Sequence, residues 1–390
     1  MTTVQRIVVV GASAAGLGAA EALRRRGYDG HLTLVGAETH LPYDRPPLSK
    51  QVLSGAWEPE RTQLRGDDKI ADLRLDLRLA TRASGVDAAG RQVLLDGGDR
   101  VGYDGLVIAT GVVPRTLPGT TGLGGVHVLR TLDDALSLQV ELLAGPRLVV
   151  VGAGLIGCEV AATARKLGLD VTLVDPLPVP MTRQVGPRIG ELVANLHAEN
   201  GVHLRFGVGV ESVLSEAGRV TGVVLTDGTR VDADAMLVGI GATAVTDWLD
   251  GSGIPVDELG VRCDAYCSAA PGVYAAGDVA SWEHPVLGRM RLEHRTNATE
   301  QAMAVAANLL GAQQEYRPLP YFWSDQYDTK IQMFGWPLPG DEMEIVEGSP
   351  EEGQFIAAYR RDGALTAAMG WNSARGLRPY RQELMRAMAG

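Results

Sequence analysis

The sequence predicts an α/β protein with two Rossmann-type nucleotide-binding domains and a smaller α+β domain at its C-terminal end. Three observations predict it. A run of β-branched residues breaks at glycine in Arg6-Ile-Val-Val-Val-Gly11-Ala-Ser-Ala-Ala-Gly16 and passes into alanine-rich, helix-forming sequence. The same pattern returns at Arg147-Leu-Val-Val-Val-Gly152-Ala-Gly154-Leu-Ile-Gly157. Beyond Pro318 the character changes: aromatics cluster, strands read as short, and no phosphate loop occurs. Each glycine-broken run is a buried parallel strand, a tight turn and a helix whose first N–H groups can hold a pyrophosphate. Two such units imply two dinucleotides, one delivering electrons and one receiving them.

The elements follow in order. Arg6–Val10 is a strand, a helix covers about 14–26 with Gly27 as its stop, and His31–Val35 is the next strand. Leu41-Pro-Tyr-Asp-Arg-Pro-Pro-Leu-Ser-Lys50 is too rich in proline for an element interior and reads as an ordered loop. Leu106–Ala109 is a buried strand ending in Ala109-Thr110-Gly111. The second unit has strand Leu148–Val151, a helix over about 155–167 stopped by Gly168, and strand Val171–Val174. Strands near 202–206, 220–225 and 235–238 complete it. Gly272-Val-Tyr-Ala-Ala-Gly277-Asp278 is another apolar strand running into Gly-Asp, and a helix over about 298–310 ends at Gly311. The expected division is a first nucleotide domain from 1–112 and 244–317, a second from 113–243, and a C-terminal domain from 318–390.

At 390 residues the chain is long enough for two or three cores. A formal charge of −11 without a Lys/Arg block argues against nucleic acid as a partner. No apolar run approaches the roughly 20 residues of a membrane helix. The first strand begins close to Met1, which leaves no room for a signal peptide, so a cytoplasmic protein is expected. The cysteines are Cys158, Cys263 and Cys267, with no Cys-x-x-Cys. Cys263 and Cys267 are expected to be unlinked thiols rather than a redox pair. The histidines show no metal-ligand spacing, and no metal is expected.

In the second unit Gly152 permits the turn, Gly154 admits the pyrophosphate, and Gly157 allows close helix–strand packing. Asp175 ends the following strand, where the adenosine ribose should lie. A carboxylate there accepts hydrogen bonds from ribose hydroxyls and repels a 2′-phosphate, so NADH is preferred over NADPH. Arg183 is the nearest cation. In the first unit Ser13 replaces the middle glycine. Its support comes from Thr110-Gly111 and from Asp278, a ribitol-hydroxyl acceptor or a helix N-cap.

Several motifs occur in one order: Leu41-Pro-Tyr-Asp-Arg-Pro-Pro-Leu-Ser-Lys50, Thr110-Gly111, Leu129-Arg130-Thr131, Gly152-x-Gly154-x-x-Gly157-x-Glu159, Ala276-Gly277-Asp278 and Pro320-Tyr-Phe-Trp-Ser-Asp-Gln-Tyr327. Together they resemble the FAD-dependent ferredoxin reductases that serve bacterial cytochrome P450s and Rieske-type oxygenases, within the pyridine nucleotide-disulfide oxidoreductase superfamily. The resemblance covers essentially the whole chain. It implies a glutathione-reductase-like fold, with non-covalent FAD on the first domain and NADH on the second. Rubredoxin reductases and apoptosis-inducing-factor proteins are more distant relatives.

By resemblance, Gly11, Ser13, Ala15 and Gly16 line the FAD pyrophosphate, and Ala37 or Glu38 meets the adenosine ribose. Arg45 approaches the FAD phosphates or adenine, and Ala83 touches the adenine. Thr110, Gly111, Arg130 and Asp278 belong to the FAD site. Arg295 takes a position near the flavin ring where relatives carry an aromatic or small residue. The NADH set comprises Gly152, Gly154, Ile156, Gly157, Glu159, Asp175, Arg183 and Gly241. In relatives the lysine matching Lys50 lies beside flavin N5 and the glutamate matching Glu159 reaches it. A cation there would stabilise negative charge on the reduced flavin, with the carboxylate keeping the lysine protonated. The alternative is a loop lysine and a helix-face glutamate in a surface pair. Trp323 is either core of the C-terminal domain or a wall over the flavin.

The function implied is that of a ferredoxin–NAD(+) reductase. Hydride passes from NADH to FAD, and single electrons pass to a 2Fe–2S ferredoxin feeding a cytochrome P450 or Rieske-type oxygenase. A basic rim of Arg289, Arg291, Lys330, Arg375, Arg378 and Arg381 would meet an acidic ferredoxin. Rubredoxin reductase, NADH oxidase or disulfide reductase, and a signalling flavoprotein like apoptosis-inducing factor are the alternatives.

Overall fold

The computed structural model describes residues 4–389. They form two compact units. One comprises the described residues up to Asp44 with Thr62–Val113 and Thr243–Pro320; the other comprises Arg45–Arg61, Pro114–Ala242 and the residues from Tyr321 onward.

The first unit is built on a six-stranded sheet ordered Ser268–Ala270, Val273–Ala275, Gly105–Ile108, Arg6–Val10, His31–Val35, Asp76–Arg78. All pairs are parallel except that of Ser268–Ala270 with Val273–Ala275. Arg6–Val10 is central: Val10 pairs with Val35 on one side and Ile108 on the other. A strand covered on both faces needs an unbroken apolar run, which Ile-Val-Val-Val supplies. The helix Ala14–Arg25 follows, and Gly27 leaves it at φ +85°. Its Gly18 has no side chain where Ala302 of the helix Arg295–Leu309 approaches; a Cβ there would lie 3.4 Å from that of Ala302. This second helix starts at Arg295 rather than near residue 298, because His294 already takes the extended N-cap conformation.

The second unit repeats the plan. Its parallel sheet runs His203–Phe206, Val171–Asp175, Leu148–Val151, Ala235–Val238, Val126–His127. Helices Leu132–Leu143, Leu155–Lys166 and Thr182–Glu199 accompany it. A five-stranded antiparallel sheet follows in the order Tyr321–Gln326, Thr329–Gly335, Ala364–Trp371, Gln354–Arg361, Glu342–Ser349, then the helix Arg378–Ala389. These strands are six to eight residues long, not short as the sequence suggested. Their small interior residues are buried on both faces of the sheet, Ala357 and Ala367 on one and Ala368 on the other, which apolar-run reading underrates. Ile331, Met333, Phe355 and Met369 of this sheet share one core with Leu148, Val150, Leu173 and Ile189. Tyr359 donates its hydroxyl to the Val185 carbonyl at 2.6 Å across that core.

The proline-rich segment is an ordered loop only as far as Pro47. Leu48–Val52 forms a wide helical turn, closed by Val52 N–H donating to the Pro47 carbonyl at 3.0 Å. Pro47 sits at φ −70°, the angle its ring imposes and a helix start needs.

Cys158, Cys263 and Cys267 are free and buried. Burial holds the Cys263 thiol well above its usual range and pushes Cys267 up to about 12. The unfolded chain therefore releases these protons first, so the thiols favour the native state below about pH 9 and cease to as pH rises toward 12. At pH 8 the native protein should resist a thiol-directed aromatic disulfide, and the urea-unfolded chain should react at all its cysteines. Stoichiometric modification of native protein within seconds would contradict this burial.

Candidate functional site

The first unit carries a glycine cradle. Gly11 has φ +116°, and a Cβ there would lie 2.0 Å from the Ala109 carbonyl oxygen; one on Gly16 would lie 1.7 Å from that of Gly11. Only glycine permits this crossing of strand, turn and helix. Ser13 is the extended N-cap of the helix Ala14–Arg25 but makes no capping hydrogen bond, and no acidic residue stands in the first turn. The first N–H groups of the helix thus have no side-chain cap, an arrangement that can hold anionic oxygens. Ala15 is buried, and a Cβ on Gly277 would lie 2.9 Å from its methyl. Ala15 and Gly277, far apart in sequence, therefore meet.

Asp278 lies in a turn before the strand Ala280–His284, so it is not a helix cap. Its charge acts on His294, whose pKa burial nevertheless lowers to about 4. Thr110 donates its hydroxyl to the Val245 carbonyl at 2.8 Å, and Gly111 turns at φ +70°. Ala37 is exposed, and the half-buried Glu38 accepts the Tyr43 hydroxyl. Ala83 is buried at the start of the strand Ala83–Asp87. Arg295 opens its helix with its guanidinium engaged by Asp44 and, at 2.6 Å, by the Thr299 hydroxyl.

The second unit carries the second cradle. A Cβ on Gly152 would lie 2.3 Å from the Gly239 carbonyl oxygen, and one on Gly157 would lie 1.8 Å from that of Gly152. Gly154, the N-cap of the helix Leu155–Lys166, faces open space and offers no side chain to cap it. The helix Leu132–Leu143 shows the contrast: Thr131 and Asp134 close a complete capping box over its N-terminus. Beside the second cradle both Asp175 oxygens accept backbone N–H groups, Oδ2 from Ala153 at 2.7 Å and Oδ1 from Leu177 at 2.8 Å. The carboxylate is pinned with lone pairs to spare for hydroxyl donors. Ile156 is 42% exposed on the first helical turn. Gly241 turns at φ +97° with space around it, and Arg183 is exposed in the helix Thr182–Glu199. Arg45 donates to the Arg130 carbonyl at 2.5 Å.

Glu159 is 4% exposed in the helix Leu155–Lys166. Lys50 Nζ lies 2.7 Å from its Oε2, and the lysine side chain is itself only 12% exposed. The surface-pair alternative is therefore excluded. Two serines complete the shell: Ser49 donates to Oε2, and Ser324 lies 2.9 Å from Oε1. Neither was singled out from the sequence. Ser324 does leave a signal, because Phe322, Ser324 and Gln326 alternate on the buried face of Tyr321–Gln326, where polar residues need a partner. Trp323 is on the opposite, half-exposed face, stacked on Tyr321 at 6.0 Å, so it is not core.

Of the expected basic rim, Arg289 and Arg291 are largely covered and paired with Glu283 and Glu293. Lys330, Arg375, Arg378 and Arg381 are exposed. Among the described residues no cluster of His, Cys, Asp and Glu could hold a metal, and no helix is long and apolar enough to cross a membrane.

Residues 5–302 match the pyridine nucleotide-disulphide oxidoreductase family and residues 321–389 the reductase C-terminal family. The chain is 40% identical over 352 residues to rhodocoxin reductase of Rhodococcus erythropolis, covering 90% of this chain and 82% of that one. It is 39% identical over 374 residues to the ferredoxin–NAD(+) reductase component of the anthranilate 1,2-dioxygenase system of Burkholderia cepacia, covering 95% and 91%. The crystal structure of the covalent putidaredoxin reductase–putidaredoxin complex matches with a TM-score of 0.93 at 34% identity, covering 97% of this chain and 93% of that one. The chain belongs to the pyridine nucleotide-disulphide oxidoreductase family.

Proposed function

We propose that this protein is an NADH-dependent, FAD-containing ferredoxin reductase that supplies single electrons to a 2Fe–2S ferredoxin and, through it, to a cytochrome P450 or Rieske-type oxygenase. The observation that carries the reading is a buried lysine–carboxylate pair beside one of two open glycine cradles, in a chain whose thiols are all buried. Relatives of similar length carry the ferredoxin–NAD(+) reductase name.

The first cradle, with Gly11, Ser13, Ala15 and Gly16, fits the pyrophosphate of FAD because its helix N-terminus has no cap of its own. Thr110, Gly111, Ala83, Arg295 and Asp278, with Ala37 or Glu38, are its proposed companions, joined by Arg45 and Arg130. The second cradle, with Gly152, Gly154, Ile156, Gly157 and Gly241, is proposed to hold NADH. Asp175 receives the ribose hydroxyls, and Arg183 borders the site. FAD, when bound, would accept one hydride, carrying two electrons, and give those electrons up singly, the conversion an iron–sulfur acceptor needs. The protein's own part is orientation and charge. Glu159, held by donors on both oxygens, keeps Lys50 in place as a cation for developing negative charge. Trp323 and the exposed Lys330, Arg375, Arg378 and Arg381 face the acceptor in this reading.

We place residues 1–112 and 244–317 in the FAD-binding domain, 113–243 in the NAD-binding domain and 318–390 in the C-terminal domain. The proposed location is the cytoplasm, where NADH is available.

Replacing Asp175 by serine together with Pro176→Arg should raise the NADPH-to-NADH ratio of kcat/KM by about 100-fold. A wild-type enzyme that already favours NADPH would sink the ribose assignment. Glu159→Gln and Lys50→Met should each slow flavin reduction at saturating NADH by about 10–100-fold while FAD content is retained. Wild-type reduction rates in both variants would remove the pair from the reaction.

A further inference from the structure

The buried polar groups do not end at Glu159. Ser324 Oγ lies 3.1 Å from Gln326 Nε2, which also lies 3.3 Å from Met181 Sδ. Gln326 Oε1 is 3.0 Å from His197 Nε2, and His197 Nδ1 is 3.1 Å from the Tyr327 hydroxyl. Ser324, Gln326 and His197 are fully buried. His197 sits on the helix Thr182–Glu199, and the reaction as described above makes no use of it.

The direction of every hydrogen bond follows from the acceptors at the two branches. A carboxylate only accepts, so the single Ser324 hydroxyl proton goes to Glu159. Ser324 Oγ must then accept, and the group facing it is the Gln326 amide nitrogen. The Met181 thioether is likewise an acceptor, which fixes the same amide orientation. Gln326 Oε1 is left facing His197, so Nε2 carries the imidazole proton and Nδ1 accepts the Tyr327 hydroxyl. Burial keeps the ring neutral, with a pKa lowered to about 4.

We propose that His197 is a positioning residue for Glu159, its Nε2–H acting through Gln326 and Ser324 to keep a hydroxyl proton on the carboxylate that holds Lys50. Without that N–H no other donor among the described residues holds the Gln326 oxygen. The amide turns, Ser324 donates to the turned oxygen, and Glu159 loses one of its donors. The carboxylate is then less firmly oriented, and its hold on Lys50 weakens. This inference rests on the proposed role of the Lys50–Glu159 pair.

The test is a double-mutant cycle of His197→Leu and Ser324→Ala, read as the rate of flavin reduction at saturating NADH. Flavin content serves as the check of folding. Each single change should slow reduction about tenfold, and the double variant should be no slower than Ser324→Ala alone, because both cut one chain. His197→Gln, which keeps an N–H toward Gln326, should recover most of the rate. If His197→Leu does not yield a flavin-loaded protein, Gln326→Leu removes the same link and takes its place in the cycle. Independently of turnover, imidazole 15N shifts of His197 in the holoenzyme at pH 7 should report the neutral Nε2–H form. Multiplicative losses in the double variant, a His197→Leu enzyme at wild-type speed, or an Nδ1–H ring would each overturn the proposal. Glu159→Gln separates the two levels. Normal reduction there removes the underlying reading as well, whereas slow reduction with a multiplicative cycle removes only the His197 relay.

Discussion

A carboxylate buried to 4% exposure is the constraint on which the second unit depends. Leaving water is costly for a charge, and the cost is offset only where donors and a counter-ion converge in good geometry. Glu159 recruits them from two segments, one more than a hundred residues before it and one more than a hundred and sixty after it. The turn Leu48–Val52 brings Ser49 and Lys50, and the strand Tyr321–Gln326 brings Ser324. Thr163, one helical turn beyond Glu159, donates to the Ser49 carbonyl at 2.8 Å and fixes that turn against the helix. A purely apolar core would tolerate several registers of loop and strand, whereas these hydrogen bonds accept one.

The two cradles solve a different problem with the same geometry. Each brings a helix start so close to a neighbouring strand end that a methyl group would collide with a backbone carbonyl. Each also leaves its helix N-terminus uncapped, at a cost to local stability that the capped helix Leu132–Leu143 avoids. An unsatisfied helix start is useful where a dinucleotide pyrophosphate supplies the missing acceptors.

Legibility in the sequence follows the range of the interactions. The central strands Arg6–Val10 and Leu148–Val151 were readable because double-sided burial writes itself as an apolar run. The helix Thr182–Glu199 was not, since Gly186 at φ +75° and Pro187 interrupt its periodicity. Leu132–Leu143 carries a Thr-x-x-Asp start, a local signal of its first turn. Lys50 and Glu159 were visible through resemblance, but their burial was not. Ser49, Ser324 and His197 escaped because their partners lie across more than a hundred positions, a relation no local pattern encodes. Asp278 was read with a capping alternative because Gly-Asp after a strand suits either a helix or a turn, and tertiary packing chose the turn.

In the proposed function electrons enter from NADH and leave one at a time to an iron–sulfur protein. The most direct measurement is anaerobic stopped-flow reduction of the flavin-loaded protein by NADH, followed by mixing with a 2Fe–2S ferredoxin. Rapid bleaching of the flavin, then its prompt return with two ferredoxins reduced for each NADH consumed, is the predicted result. Rapid bleaching with no transfer to any ferredoxin offered would contradict it.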